Sequence, residues 1–448
     1  MELKPPRGKT PGQRLIYALC LIPVVGIFYA SSLTRAQGDL AVISTLGFLL
    51  LAGTLLAELV EIFGLPHLTG YLLAGILAGP HLLGIIDRPT VSRLAPVNTL
   101  ALALIALAGG VELDASQIKK SVRSLLIATG VHSVVGTLLF GIVFFLLRPF
   151  LPFLKHMGTT AVVAISLLWG VLAVSRSPSA TLAILAQTRA KGPIAQFALA
   201  FVMSSDVVVI LLMALATMIA KPMLEPGAPF AFDAFRALGH EIVGSVAIGT
   251  TLGLLLIIYL RLIGTQLVVV LIALGFGATE VLNYLRFDPL LTFLVAGFIV
   301  QNLSQQGAKF LRAIADMGAI VYVVFFASAG ADLDVPLLVQ LWPVALALAL
   351  SRGAITFGCA RASSWVARDA DILKRWGWTS LIAQAGLTQG LAGIVAREFP
   401  TFGPPLRGLL MAMLTINAII GPILFKLGLD RSSETQGALP PLAEAAEA

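Results

Sequence analysis

The sequence predicts an all-α polytopic membrane protein with 13–14 transmembrane helices. Hydrophobic residues make up 58% of its 448 residues and charged residues only 12%, whereas a soluble protein carries about 25% charged residues. Apolar stretches of about 20 residues, the length that crosses a bilayer, recur along the whole chain. Three stretches of the first half also return in the second half. These observations exclude a soluble globular protein.

Apolar segments separated by Gly, Pro and charged residues predict the individual helices. The candidates cover roughly residues 14–31, 40–63, 66–86, 94–111, 118–147, 158–188, 192–220, 237–260, 265–284, 289–303, 311–330, 335–360, 376–396 and 406–425. The first candidate follows several basic residues, a pattern that signal peptides share, so cleavage would leave thirteen spans.

The same pattern divides the chain into expected domains. These are an N-terminal extra span or signal-anchor (1–39), a first six-helix repeat (40–220), a linker helix (221–264), a second repeat (265–430) and a disordered cytoplasmic tail (431–448).

Lys and Arg concentrate in the loops on one side of these spans, among them Lys119, Lys120, Lys191 and Lys309. The positive-inside rule then places both termini in the cytoplasm, and we expect a bacterial inner membrane protein. These loops explain the net charge of +7, so no nucleic-acid partner is predicted. Cys20 and Cys359 have no metal-ligand spacing, and we expect no cofactor.

An internal repeat relates the two halves of the chain. Tyr71-Leu-Leu-Ala-Gly-Ile returns as Phe293-Leu-Val-Ala-Gly-Phe, Ala108-Gly-Gly-Val-Glu-Leu-Asp as Ser328-Ala-Gly-Ala-Asp-Leu-Asp, and Thr181-Leu-Ala-Ile-Leu more weakly as Gly390-Leu-Ala-Gly-Ile. Corresponding helices lie seven crossings apart, an odd number, so each pair runs in opposite directions through the bilayer. The sequence therefore predicts two inverted-topology six-helix repeats, which are typical of alternating-access transporters.

Helix breaks are predicted at matching places in the two repeats. The sixth span contains Val174-Ser-Arg-Ser-Pro-Ser-Ala-Thr, where Pro178 removes a helix hydrogen bond. The thirteenth contains Gln384-Ala-Gly-Leu-Thr-Gln-Gly-Leu-Ala-Gly, in which Gly386, Gly390 and Gly393 relax the helix and Gln384, Thr388 and Gln389 supply polar groups. We expect two crossed discontinuous helices, with Arg176 offsetting the negative charge at their C-terminal ends. The alternative is a Pro kink in an ordinary packing helix.

Asp206 is the only acidic residue between Asp114 and Glu225, inside an unbroken apolar run. A carboxylate at bilayer depth costs roughly 2.5–3.5 kcal/mol, so we expect it to bind a proton or a small cation. Its counterpart in the second repeat is Asn417, a neutral amide. Ser205 and Ser177 are the expected oxygen ligands.

Arg352 also lies in an apolar helix, and its counterpart in the first repeat is His132. An Arg at this depth must face a partner or water. We expect it to pair with Asp206 and keep that carboxylate ionised until a cation or proton replaces the contact. The alternative is that Arg352 only compensates the dipoles of the half-helices. We expect His132 to pack between helices rather than to relay protons.

Several motifs resemble one transporter family. They are Leu65-Pro-His-Leu-Thr-Gly-Tyr-Leu-Leu-Ala-Gly-Ile-Leu-Ala-Gly-Pro, Ser175-Arg-Ser-Pro-Ser-Ala-Thr, Arg189-Ala-Lys-Gly-Pro, Ser205-Asp-Val-Val-Val-Ile, Val324-Phe-Phe-Ala-Ser-Ala-Gly-Ala-Asp-Leu-Asp and Asn417-Ala-Ile-Ile-Gly-Pro. Together they resemble the monovalent cation:proton antiporters, on the Kef-like side of the sodium/proton exchanger superfamily, over about residues 40–428.

The resemblance implies a core domain with two crossed broken helices, a dimerisation domain and hence a homodimer. It also implies that Asp206 binds a cation and a proton in turn, with Arg352 at the position of the family's site-adjacent basic residue. The chain departs from the usual pattern at Ser205, where typical members have Asn or Asp, and at Arg176-Ser-Pro178, where many have Thr-Asp-Pro.

We therefore predict a secondary transporter, not an enzyme, that exchanges Na⁺ or K⁺ for protons by alternating access. With a single titratable carboxylate the exchange is expected to be electroneutral. The alternative is a proton- or cation-coupled transporter of another small solute on the same fold.

Overall fold

Helices account for every regular element in the computed structural model, which describes residues 20–26, 39–225, 232–384 and 386–435. The predicted fold class is confirmed. In the described part of the chain, nine helices are long and apolar enough to cross a membrane, and shorter apolar helices accompany them.

The elements follow in this order along the chain. They are α1 (Asp39–Glu61), α2 (His67–Ala78), α3 (Arg88–Arg93), α4 (Ala95–Glu112), α5 (Ala115–Gly130), a π-helical turn (Val131–Gly136), α6 (Thr137–Leu146), α7 (Thr159–Val174), α8 (Pro178–Thr188), α9 (Pro193–Leu224), α10 (Phe232–Leu262), α11 (Leu267–Leu285), α12 (Pro289–Leu303), α13 (Gly307–Ala331), α14 (Val335–Ala367), α15 (Asp371–Trp376), a 3₁₀ turn (Gly377–Leu381), α16 (Gly386–Glu398) and α17 (Gly403–Arg431). Short 3₁₀ turns, Arg148–Phe150 and Pro152–Leu154, connect α6 to α7.

Most predicted spans coincide with a helix, and α12 has the predicted bounds. The span predicted at 66–86 is wrong at its end, since α2 stops at Ala78. Gly79 takes an extended conformation there, as the residue before a proline commonly does. Of the first predicted span only residues 20–26 are described, and they are helical. Beyond residue 435, the predicted tail lies outside the described residues.

The helices pack as two bundles. In the first, which we call the scaffold bundle, α2 packs on α1 and α13, and α4 packs on α11, α12 and α13. In the second, the site bundle, α7 packs on α6 and α9, and α17 packs on α14 and α16. The predicted linker helix, α10, lies against α12 and α9 and so spans both bundles.

The repeated motifs meet at the centre of the scaffold bundle. A Cβ on Gly75 would collide with the Ala327 carbonyl, and a Cβ on Gly297 would collide with the Leu107 carbonyl. These two contacts are equivalent under the repeat, because Gly75 corresponds to Gly297 and Ala327 to Leu107. The same holds for the approaches of Gly330 to Leu72 and of Gly110 to Leu294. Each repeat therefore packs on the other through the same pair of surfaces.

Candidate functional site

The first helix break lies between α7 and α8. Ser175 and Ser177 are extended, and Pro178 occupies the first turn of α8, where its missing N–H costs nothing. The Ser177 hydroxyl caps α8 by accepting a hydrogen bond from the Ala180 N–H at 3.1 Å. The break was predicted at this position from Pro178 and its hydroxyl neighbours.

The second break lies between the 3₁₀ turn at Gly377–Leu381 and α16. The sequence predicted it within a span at 376–396, relaxed by Gly386, Gly390 and Gly393. That placement is wrong in part, because α16 runs without interruption from Gly386 to Glu398 and the non-helical residues precede it. Glycine permits a break but does not impose one, since a helix tolerates it at about 1 kcal/mol.

The two breaks cross and are joined through their backbones. The Ser177 N–H donates to the Ala383 carbonyl at 3.0 Å. The Ser175 and Thr388 hydroxyls share a hydrogen bond of 2.5 Å, which ties the first break to α16. The crossing is therefore a hydrogen-bonded unit made from both repeats.

Arg352 on α14 holds the ends of both broken helices. Its Nε donates to the Ala173 carbonyl at 2.8 Å and its Nη1 to the Ile382 carbonyl at 2.6 Å. Its Nη2 donates to Ser175 at 3.0 Å and to Leu381 at 3.4 Å. The last turn of a helix leaves carbonyls without a partner and carries partial negative charge, so a buried guanidinium satisfies both needs.

The expected pair between Arg352 and Asp206 is therefore wrong for this conformation. Among the described residues, the guanidinium of Arg352 bonds only to backbone carbonyls, and no ion pair joins it to a carboxylate. The alternative, that Arg352 compensates the half-helices, fits these contacts. The role expected of Arg176 at the helix ends is likewise filled by Arg352.

An amide pair completes the crossing. The Gln384 side chain donates from Nε2 to the Ser175 carbonyl at 3.2 Å and to the Leu172 carbonyl at 3.3 Å. The Asn417 Nδ2 donates to the Gln384 Oε1 at 2.9 Å. Asn417, the neutral counterpart of Asp206, thus positions Gln384 rather than facing an open space.

Asp206 lies on α9 with 6% of its surface exposed. Its Oδ1 is buried without a hydrogen-bond partner. The neighbouring Ser205 is also buried, and its hydroxyl donates to the Val202 carbonyl at 2.9 Å. A buried carboxylate oxygen without a donor is costly unless a proton, a cation or water completes it.

Arg176 is buried beside α9 with two unused donors. Its Nε and Nη1 have no hydrogen-bond partner, and its guanidinium lies 4.7 Å from the centre of the Phe201 ring, a cation–π arrangement. The His132 ring also packs on Phe201, with the two ring centres 5.4 Å apart, and its buried Nε2 has no hydrogen-bond partner. Phe201 was not predicted as a site residue. Its position on α9, five residues before Asp206, did not indicate a role at the site.

A cavity of about 530 Å³ separates the two bundles and reaches the crossing. On the side of the site bundle it touches Ala180, Gln384 and Gln389, and Asp206 is not among the described residues that line it. It opens between Ser92, Asp332, Arg397 and Arg407, four exposed residues that we call the outer rim. The cavity provides a path from one face to the crossing.

No group of three His, Cys, Asp or Glu side chains able to hold a metal ion occurs within the described ranges. The groups that the site offers are therefore a single buried carboxylate, hydroxyls and carbonyls. Hard monovalent cations are suited by oxygen ligands of this kind.

Comparison with protein families and with solved structures gives matches. The family model for the transmembrane sodium/hydrogen exchanger matches residues 46–429. Curated proteins give no significant match to this sequence. Among solved structures, the sodium proton antiporter MjNhaP1 from Methanocaldococcus jannaschii at pH 8 superposes with a TM-score of 0.63 and 16% identity, covering 86% of this chain and 96% of that one. An electron-microscopy structure of MjNhaP1 gives a TM-score of 0.70 and 17% identity, covering 89% and 100%.

Proposed function

Because the chain belongs to the transmembrane sodium/hydrogen exchanger family, we propose that it exchanges a monovalent cation, Na⁺ or K⁺, for protons by alternating access. The observation that carries the proposal is the buried Asp206 carboxylate, whose Oδ1 has no partner beside two crossed helix breaks. The MjNhaP1 structures, of a sodium proton antiporter, support sodium as the first cation to test.

Asp206 is the carrier in this proposal. A carboxylate buried in a bilayer is neutralised either by a proton or by a cation, and the two compete for the same oxygens. Ser205 and Ser177 supply further oxygens, either as hydroxyls or through their carbonyls. Their hydroxyls now donate to or accept from local backbone groups, so cation binding would require them to rotate.

Electroneutral one-for-one exchange follows from the number of charges that can change. Asp206 trades one proton for one cation. Arg352 is held by four carbonyls, and an arginine stays protonated in proteins, so it contributes no second proton. Arg176, likewise an arginine, keeps a constant positive charge and contributes no proton.

Alternating access is supported by the division into two bundles and by the position of the cavity between them. We propose that the site bundle moves relative to the scaffold bundle and carries the crossing from the outer rim toward the lysine-rich face. We further propose a homodimer in the bacterial cell membrane with both termini in the cytoplasm, in keeping with the distribution of Lys and Arg.

Proton flux in everted membrane vesicles tests the function. Addition of Na⁺, K⁺ or Li⁺ to vesicles with the wild-type protein should release the proton gradient, and the ranking of cations would give the selectivity. Asp206→Asn should abolish the response. Asp371→Asn is the matched control, because Asp371 is fully exposed at the start of α15. Cation-driven flux that persists in Asp206→Asn would refute the proposal.

A further inference from the structure

The cavity is open at the outer rim and closed at its other end. Asp332, Arg397 and Arg407 are exposed at the rim, whereas Leu68, which lines the opposite end, is 2% exposed. Leu68 is the second residue of α2, so the floor of the cavity lies at the N-terminus of this helix. What holds the two bundles together at this floor decides whether the crossing can open to the lysine-rich face.

One hydrogen bond joins the bundles directly beside the floor. The backbone N–H of His67, the first residue of α2, donates to the Oε1 of Gln187 at 3.0 Å. Gln187 lies in the last turn of α8, the second half of the first broken helix. The bond therefore links the scaffold bundle to the moving part of the crossing, and it satisfies one of the free N–H groups at the start of α2.

Further contacts hold the segments of Gln187 and His67 in place. The turn that follows Gln187 passes through Arg189, which has a left-handed φ of 49°. It is fixed by Glu434, whose carboxylate accepts the N–H groups of Ile194 at 2.8 Å and Ala195 at 2.9 Å. The Glu434 carbonyl also accepts the Lys191 N–H at 3.0 Å. A buried carboxylate at the N-terminus of α9 is favourably placed against the helix dipole.

On the scaffold side, the His67 ring lies 3.2 Å from the Glu61 carboxylate, at the end of α1. The two motifs concerned, Leu65-Pro-His-Leu and Arg189-Ala-Lys-Gly-Pro, have no role in binding the ion at Asp206. The structure brings the first motif against Gln187, two residues before the second, and among the described residues the neutral hydrogen bond from His67 to Gln187 joins them.

We propose that the contact between Gln187 and the N-terminus of α2 is the gate on the lysine-rich face, which must break before Asp206 can exchange ions with that side. The proposal rests on the exchange function proposed above. A neutral hydrogen bond suits a gate, because it favours the closed state only about two- to twelve-fold and can break in each transport cycle. A buried ion pair there would hold the gate shut.

A reporter cysteine in the cavity measures the gate without requiring transport. Ala329→Cys, on the cavity wall, is labelled by a membrane-impermeant thiol reagent from the outer face in a background with Cys20→Ser and Cys359→Ala. Gln187→Leu removes the acceptor, so the ratio of outward-open to inward-open protein should fall about two- to twelve-fold. The labelling rate should fall with the outward-open fraction. Gln187→Glu retains an acceptor, whose charge strengthens the bond, and should be labelled at least as fast as the background. Equal rates in Gln187→Leu and the background would overturn the proposal.

Cross-linking then tests the gate in the working protein. His67→Cys with Gln187→Cys, joined by a short reducible bis-methanethiosulfonate, should stop cation-driven proton flux, and reduction should restore it. The control pair, Ser124→Cys with Asp369→Cys, replaces a 2.9 Å hydrogen bond between α5 and the end of α14. These two helices pack on each other and belong to the same bundle, so the joined pair should transport. Transport by protein in which positions 67 and 187 are cross-linked would refute the gate. Failure of this pair to cross-link under conditions in which the control pair does would refute it as well. Absence of flux from the cysteine-free background protein would instead refute the proposed function.

Discussion

Replacement of Arg352 by Met is expected to destabilise the fold strongly, because it removes the donor that holds both broken helices. The side chain is 2% exposed and makes four hydrogen bonds to carbonyls. Met has a similar length and would fill much of the space. The loss then comes mainly from carbonyls that are left without a donor.

The size of the effect follows from which carbonyls lose their partner. Ser175 keeps the bond from Gln384 at 3.2 Å, and the bond to Leu381 is long at 3.4 Å. The carbonyls of Ala173 and Ile382 accept the two shortest bonds, at 2.8 and 2.6 Å. A buried polar group without a partner costs about 1–3 kcal/mol, so two of them reduce the free energy of unfolding by about 2–6 kcal/mol.

Denaturation in mixed detergent micelles, followed by tryptophan fluorescence, measures this loss. Arg361→Met is the control, since Arg361 lies on the same helix, is exposed and makes one contact of 3.5 Å to the Lys374 carbonyl. It should change stability by less than about 0.5 kcal/mol. If Arg352→Met costs no more than Arg361→Met, the assigned role of Arg352 is wrong.

A double-mutant cycle separates this role from that of a counter-ion to Asp206. Residues that do not interact give additive effects, within about 0.5 kcal/mol. The effects of Arg352→Met and Asp206→Asn on stability should therefore add. A double variant that is markedly more stable than the sum predicts would show that the two side chains pair.

Three further predictions concern the repeat, the amide pair and a surface carboxylate. Gly75→Ala and Gly297→Ala should each lower the free energy of unfolding by similar amounts, about 1–3 kcal/mol, because their Cβ atoms would meet equivalent carbonyls. Gly130 has open space around it, so Gly130→Ala should instead stabilise the protein by roughly 0.5–1 kcal/mol. An unchanged stability in Gly75→Ala would contradict the close helix contact. Gln384→Leu and Asn417→Leu should show a coupling of about 1 kcal/mol in a stability cycle, since a 2.9 Å bond joins the two amides; zero coupling would mean that the bond is not formed. The hydrogen bond from Lys374 holds the pKa of Asp371 below its usual value. The ionised carboxylate therefore stabilises the fold above the unfolded-state pKa. This stabilisation is lost as the pH falls through the lower, folded-state pKa. Asp371→Asn should thus be slightly less stable than the wild type at pH 7 and equal to it at the acid end of a pH series, whereas a difference that grows toward acid would contradict the pair.

The sequence was most informative where a residue type imposes a structure. Pro178 cannot continue a helix with full hydrogen bonding, and the first break lies there. Apolar length likewise predicted most helices, because a bilayer requires it. The second break was placed too late, since Gly390 and Gly393 merely permit an interruption and the neighbouring helices keep α16 intact.

Side-chain partners were harder to predict. Arg352 had two possible partners in the sequence, the Asp206 carboxylate and the ends of the broken helices. The free carbonyls at a helix end belong to the backbone, so the sequence does not show which side chain will meet them. The carbonyls of Ala173 and Ile382 converge only when the two repeats cross. The contact between His67 and Gln187 is of the same kind, since it depends on how two bundles meet.

In the proposed exchange, Asp206 gives up one proton for each cation that it binds. Calorimetric titration of the purified protein with NaCl, in buffers of different ionisation enthalpy, counts the protons released per cation bound. We expect one proton per Na⁺ at a pH at which Asp206 begins protonated. Asp206→Asn should show neither binding nor release, and Asp371→Asn should behave as the wild type. Cation binding with proton release that survives in Asp206→Asn would contradict it.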